Sequence, residues 1–478
     1  MRFAPVIAAS AAMLAVAVAP GLARAAAFDY QIDGAKLGLG WAVPFAGLLL
    51  TIALAPLLAP RLWHGHYGKI AGAWAMLLVL PFFAAFGPDV ALHNVVHTLL
   101  IEYTPFVIVL FTLYTVSGGI RITGGMAGSP WGNTALLVSG MLLASLMGTT
   151  GATMLLVRPL LRANAWRKRQ VHLYVFFIFL VGNIGGSMTA LGDPPLFIGF
   201  LRGVDFFWPA KHLFHEFLMT GGILVTVFFL LDWHIWRQER GNAPAHQAGG
   251  EQQAIGIEGG ANVLLLLLVP PCILLSATWQ PAATITIVGN VIGLQAATRD
   301  ALLLAIAVAS LLLTPRGLRA ANGFSWAPIA EVAKLFACIF LTIMPVLAML
   351  RAGPDGAFAP LLAAVTDPSG APIPTMYFWL TGLLSSFLDN APTYLVFFEM
   401  AGGDPEVLMT ERALTLTAIS AGAVFMGAMT YIGNAPNFMV KAVVEHAGVK
   451  MPGFLLYMVW AMIFLLPVLV LLDSQFFR

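Results

Sequence analysis

Charge is what this sequence has least of. Lysine and arginine number 24 and aspartate and glutamate 22, so 10% of the 478 residues are charged while 59% are hydrophobic. A soluble globular domain carries about 25% charged residues. The deficit excludes an ordinary soluble domain and points to a polytopic membrane protein. A formal net charge of +2 is too small to hold nucleic acid, and the basic residues gather in short loops instead of lining one stripe. Cysteine is almost missing as well. Cys272 and Cys338 lie inside apolar runs without metal-type spacing, and each reads as a small buried hydrophobe. There is no Walker-type glycine loop, serine nucleophile elbow or zinc helix, hence no sign of ATP drive or of an enzyme. His93 and His97 stand four residues apart with no third ligand nearby, too few for a metal site. No cofactor is expected.

Hydrophobic runs fill the space that charge leaves. A helix needs about 20 apolar residues to cross the hydrocarbon with its backbone satisfied internally. Windows at 37–59, 68–87, 100–120, 134–160, 171–200 and 213–236, then 261–278, 300–314, 326–351, 374–400, 412–440 and 452–475 qualify. Ahead of them, Arg2, a stretch of small apolar residues and Ala23-Arg24-Ala25 fit a signal peptide over residues 1–25, the alternative being an uncleaved first helix. Residues 237–260 are polar, rich in Gly, Ala and Gln and without periodicity. They predict a flexible cytoplasmic linker between two halves, 37–236 and 261–475.

Basic residues cluster at Arg158, Arg162, Arg167, Lys168 and Arg169, at Arg237 and Arg240, at Arg316 and Arg319, and at Lys441 and Lys450. All four clusters fall on the cytoplasmic side only if windows 134–160 and 374–400 each enter and leave on one face. Both are too long for a plain span and have polar centres, "GTTGAT" (Gly148–Thr153) and "SFLDNAPT" (Ser386–Thr393), so both are expected to be re-entrant hairpins. Each half then holds five spans and a hairpin, and the second half starts on the opposite side. That is an all-α inverted repeat, a recurring plan for secondary transporters. The sequence repeats accordingly: "MTALGDPP" (Met188–Pro195) matches "MTYIGNAP" (Met429–Pro436) at an offset of 241 residues.

The stretches "GNIGGSMTALGDPP" (Gly182–Pro195) and "GAMTYIGNAPN" (Gly427–Asn437) remove helix propensity and backbone donors in mid-span, so the helices should break there. Broken helices at membrane depth are buried in protein or line a watery cavity, and their free carbonyls coordinate cations. Asn183, Ser187, Thr189 and Asp193 are expected to converge in the first half, and Thr430 and Asn434 in the second. Each half carries one acid at such a point, Asp193 on the first break and Asp389 on the second hairpin. Ionising a lone carboxyl at the bilayer centre is costly. Either a proton or a sodium ion relieves that cost, and their competition is the minimal chemistry of an antiporter. The plain alternative for Asp389 is a helix N-cap. Glu399 is expected to be solvated at the outer mouth of the second hairpin, and Glu102 and Glu331 to sit near helix ends.

Together "LYTVSGGI" (Leu113–Ile120), "GNIGGSMTALGDPP", "SSFLDNAPT" and "TYIGNAPN" resemble the ion transporter superfamily, in its branch with a citrate-transporter-like domain and the NhaD-type sodium/proton antiporters. The resemblance covers about residues 37–475. It implies a scaffold with a mobile transport domain, elevator-like alternating access, often a homodimer, and sodium sites between each hairpin tip and its helix break. Carried over by position, one site uses Thr149, Thr150, Asn183 and Asp193, and the other Ser385, Asp389, Asn390, Thr393 and Asn434, with Asp193 and Asp389 as the carboxylate ligands. Antiporter relatives often carry an Asp-Asn type tip in the first hairpin too, where this chain has Thr149-Thr150-Gly151. The expected function is sodium/proton antiport across a bacterial-type inner membrane, with small inorganic cations as partners. The alternative is import of citrate or another dicarboxylate coupled to sodium or protons. The four motifs contain no Arg or Lys, which counts against that alternative.

Overall fold

The computed structural model describes residues 32–124, 128–242 and 256–478. The expected signal peptide lies outside these residues, as does most of the expected linker. The linker's described ends are ordered: one helix runs on to Glu239, and Gly256–Glu258 forms a strand paired antiparallel with Arg121–Thr123. A second two-stranded ribbon joins Thr284–Ile287 to Asn290–Gly293. The fold is otherwise helical, an all-α polytopic membrane protein.

Eight helices among the described residues are long and apolar enough to cross a membrane. The longest apolar run, Gly65–Ser117, has 53 residues. A straight helix of that length would reach about 80 Å, far beyond the roughly 30 Å of hydrocarbon. It turns at Gly87, where φ is 78° and ψ 161°, a backbone only glycine adopts readily. Pro88 then opens the next segment. Six residues, Thr98–Tyr103, are wound as a π-helix inside that second segment.

Both expected hairpins fold back on themselves. Pro130–Ala163 would extend about 51 Å if straight, yet Asn133 and Asn164 near its two ends exchange side-chain hydrogen bonds of 3.0 and 2.8 Å. The bend is Gly148, at φ 77° and ψ 151°. In the second hairpin, arms Pro374–Phe387 and Asn390–Met400 are antiparallel, since the Tyr377 hydroxyl donates to the Met400 carbonyl at 3.3 Å.

The two broken helices form the centre. Every residue of Val171–Leu180 after the first is buried, as is nearly all of Ala413–Met426. Helices that are apolar all round belong in a core. Peripheral helices instead turn leucines outward, with Leu58, Leu312 and Leu455 at 78%, 80% and 75% exposure, as suits a lipid-facing surface. Packing between the halves is crossed. The second arm of the second hairpin lies along Pro194–Leu201 of the first half, and the first hairpin lies along Ala435–His446 of the second.

A centre around Asp193

Both breaks end in the same way. Asp193 is the N-cap of Pro194–Leu201 with φ −146° and ψ 147°, and Asn434 the N-cap of Ala435–His446 with φ −151° and ψ 140°. Proline in the first turn of each costs nothing, because those N–H groups have no helical partner. Neither cap side chain bonds its own helix. Asp193 turns instead toward the hairpin tips, and Asn434 toward the first break, where it donates to Gly182 O, Asn183 Oδ1 and Asp193 Oδ1.

The crossed packing brings both tips to one carboxylate. Asp193 Oδ1 accepts from Thr149 Oγ1 at 2.8 Å and from Asn434 Nδ2 at 3.0 Å, and Oδ2 accepts from Asn390 Nδ2 at 2.5 Å. Thr149 comes from the first tip, Asn390 from the second and Asn434 from the second break. Asp193 is 1% exposed. Hydrogen bonds to a charged group are worth about 1.5–3 kcal/mol each, so three of them offset much of the cost of keeping a carboxylate there. One acceptor in this cluster, Asn390 Oδ1, is buried without a partner. Three asparagines join the two breaks behind the centre: Asn183 Nδ2 donates to Asn437 Oδ1 at 2.7 Å, and Asn183 Oδ1 accepts from Asn434 Nδ2 at 3.2 Å.

A cavity of about 360 Å³ opens onto this cluster. Gly148, Thr149, Thr150, Asp193, Asp389 and Asn434 form its polar floor, and its walls are mainly apolar and aromatic, among them Trp63, Tyr114, Phe197 and Phe438. Asp193, Asp389 and Glu331 are its charged lining residues, and among the described residues no Lys or Arg lines it.

A membrane protein with this carboxylate between two hairpin tips matches one family model, described as "Putative citrate transport", over residues 34–477. The chain belongs to that family. It is therefore a citrate-transporter-like ion transporter domain along nearly its whole length, and a multi-pass membrane protein. No curated protein matches the chain.

Within this citrate-transporter-like domain, the geometry redraws the two sets of candidate ligands. Asn390 and Asn434, assigned by position to a site with Asp389, are bonded to Asp193, so the sets meet in one cluster instead of two. The reason is the crossed packing, which points the second tip at the first break. Asp389 lines the cavity half-buried, and its Oδ1 accepts from Ala391 N at 3.1 Å, so it is also the helix N-cap. Thr150 lines the cavity.

The other candidates spend their hydroxyls on backbone carbonyls. Ser187 donates to Ile184 O at 2.9 Å, Ser385 to Ala423 O at 2.6 Å and Thr393 to Asp389 O at 2.9 Å. Thr189 donates to Ser145 O and Thr430 to Ser386 O, tying each break to its own hairpin. These ties are internally repeated: Ser145 Oγ bonds Gly185 O and Ser386 Oγ bonds Met426 O, at the offset of 241 that also separates Asp193 from Asn434.

Charged residues depart further from expectation. Glu399, expected in solvent, is 2% exposed between Arg202 and Arg351. Arg167, expected in a cytoplasmic loop cluster, is buried against Asp232 at 2.6 Å, with His172 on the same carboxylate at 2.9 Å. The available signal was the acid in "FFLLDWHIW" (Phe228–Trp236), a charge in an apolar run that needs a partner. Glu331 does lie near a helix end, in the second turn of Ala327–Arg351, and it also lines the cavity.

Proposed function

We propose that this chain is a secondary active transporter in which Asp193 binds a small cation in competition with a proton, with NhaD-type sodium/proton antiport as the reading the site supports best. The observation that carries it is the charge of the cavity floor: Asp193 and Asp389 both face this space, and among the described residues no Lys or Arg lines it. Such a floor attracts a cation and repels a polycarboxylate. The nearby helix-tip N–H groups do not redress this, because Thr149 N donates to Gly192 O at 2.9 Å and Ala391 N to Asp389.

The residues around Asp193 suit the exchange chemically. Without a cation, one hydroxyl and two amide donors hold the carboxylate. Turning the Asn390 amide by half a turn replaces its nitrogen with its oxygen, and a threonine hydroxyl rotates to offer a lone pair. Donors on a carboxylate thus become oxygen ligands beside it, which is the ligand type a hard cation prefers. Two inverted repeats with elevator-like access, a homodimer and a bacterial inner membrane complete the proposal.

The family description and a cavity larger than a bare ion needs favour a second reading, sodium- or proton-coupled transport of citrate or another dicarboxylate. Proteoliposomes with a trapped pH dye, challenged with sodium, lithium, potassium and citrate, separate the two. Antiport predicts a sodium-driven pH change that Asp193→Asn and Asp389→Asn each abolish. Normal exchange by both variants refutes it. Labelled-citrate uptake at fixed sodium and pH, with no sodium-driven pH change in its absence, establishes the second reading.

A further inference from the structure

Two half-helices carry the centre, and both are tied at their far ends. Pro194–Leu201 has Asp193 at its N-cap and Arg202 at its C-cap. Asn390–Met400 has Asn390 at its start and Glu399 in its last turn. The two rods pack side by side, with Gly199 so close to the Tyr394 hydroxyl that no Cβ fits between them. About 14 Å from Asp193 along the first rod, Arg202 Nη1 meets Glu399 Oε1 at 2.9 Å.

The same pair is anchored to two other helices. Arg202 Nη2 lies 3.0 Å from Glu102 Oε1 in the π-helical segment, and Arg351, at the end of Ala327–Arg351, grips Glu399 through two bonds of 2.9 and 2.7 Å. A second cavity, about 710 Å³ and lined by Glu102, Arg202 and Arg351, reaches this cluster, and Arg351 is 53% exposed to it.

We infer that the Glu102–Arg202–Glu399–Arg351 cluster is a clamp that sets the register between the two rods, and through it the position of Asn390 against Asp193. Arg202 and Glu399 are positioning residues for the cation centre. Neither is needed to neutralise the other. Without Arg202, Glu399 keeps its two bonds to Arg351; without the Glu399 charge, Arg202 keeps Glu102. Single variants therefore avoid the unpaired buried charge that would unfold the protein, and what they lose is the tie between the rods. The inference rests on the reading of Asp193 as the cation site.

The test is proton release by the purified, detergent-solubilised full chain on addition of sodium, at fixed pH. Arg202→Ala and Glu399→Gln are each expected to raise the half-saturating sodium concentration about tenfold with the amplitude of release retained. Arg202→Lys, which keeps the charge, recovers part of the loss. If the clamp acts through Asn390, adding Arg202→Ala to Asn390→Ala raises the concentration little further; independent damage multiplies the two effects. Unchanged half-saturation in both single variants, or effects that multiply with Asn390→Ala, overturns the clamp and leaves the site standing. A wild-type protein that releases no protons on sodium addition overturns the site reading and the clamp with it.

Discussion

Gly148 and Gly87 offer a matched pair of perturbations. Their backbones are nearly the same, φ 77° and ψ 151° at Gly148 and φ 78° and ψ 161° at Gly87, in a region that is essentially closed to residues with a Cβ. Space is not the obstacle at either. A Cβ on Gly148 would meet only Leu191 O at 3.4 Å and Leu113 Cδ1 at 3.7 Å, ordinary contacts, and one on Gly87 would meet nothing within 4 Å. Alanine at each position thus carries the backbone term alone, of order 1–3 kcal/mol. The sites differ in what hangs on the bend: Gly148 precedes Thr149, whose hydroxyl reaches Asp193, whereas Gly87 joins two spans away from the centre. Both Gly148→Ala and Gly87→Ala should lower the thermal midpoint of the purified protein. Gly148→Ala alone should also raise the half-saturating sodium concentration, by about 10- to 100-fold if most of the strain is relieved by moving the tip. The same bend accounts for the missing acid of the first hairpin. At the offset of 241, Gly148 stands where the second hairpin has Asp389, which sits at φ −61°. An aspartate at position 148 would carry the same penalty, so Gly148→Asp should behave like Gly148→Ala and add no cation affinity. Sodium half-saturation within about twofold of wild type in Gly148→Ala, with both midpoints unchanged, refutes the reasoning.

Removing ligands and removing ties should separate cleanly. Thr149→Val and Asn390→Ala each delete a group bonded to Asp193 and should weaken sodium-linked proton release by about 10- to 100-fold, from about 1.5–3 kcal/mol per charge-assisted bond; an unchanged titration argues against their role. Thr189→Val and Thr430→Val delete ties between break and hairpin, and should cost about 1 kcal/mol of stability each with little change in sodium half-saturation, as melting and titration on the same samples would report. Arg167→Ala removes the buried guanidinium from Asp232, leaving that carboxylate with Asn133 and His172 alone, and should cost about 3 kcal/mol. Lys441→Ala breaks a partly exposed pair with Glu445 of 3.5 Å and should cost under about 1 kcal/mol. Equal thermal shifts for these last two would contradict the burial argument.

Much of the architecture follows from local rules. Apolar length marks the spans, glycine and proline mark where helices at 171–200 and 412–440 must break, and a polar centre in an overlong window marks each hairpin. These properties reside in consecutive residues, so the chain's order alone reveals them. It also reveals Asp193, because an acid at membrane depth is conspicuous wherever it packs.

What faces Asp193 is a different kind of fact. Asn390 lies 197 residues away, and spacing within a repeat suggests its own break as its partner. Only the crossed packing of the rods, with Gly199 against Tyr394, directs it to the other half. Glu399 likewise has no local sign of burial, because its neutralising arginines come from the ends of two remote helices. The sequence by itself determined that the membrane would be crossed, where its helices would break and which acid stood at a break. Tertiary structure alone decided that two expected sites share one carboxylate and that a buried ion cluster ties their far ends, because hydrogen bonds and ion pairs depend on distances in space that separation along a chain does not encode.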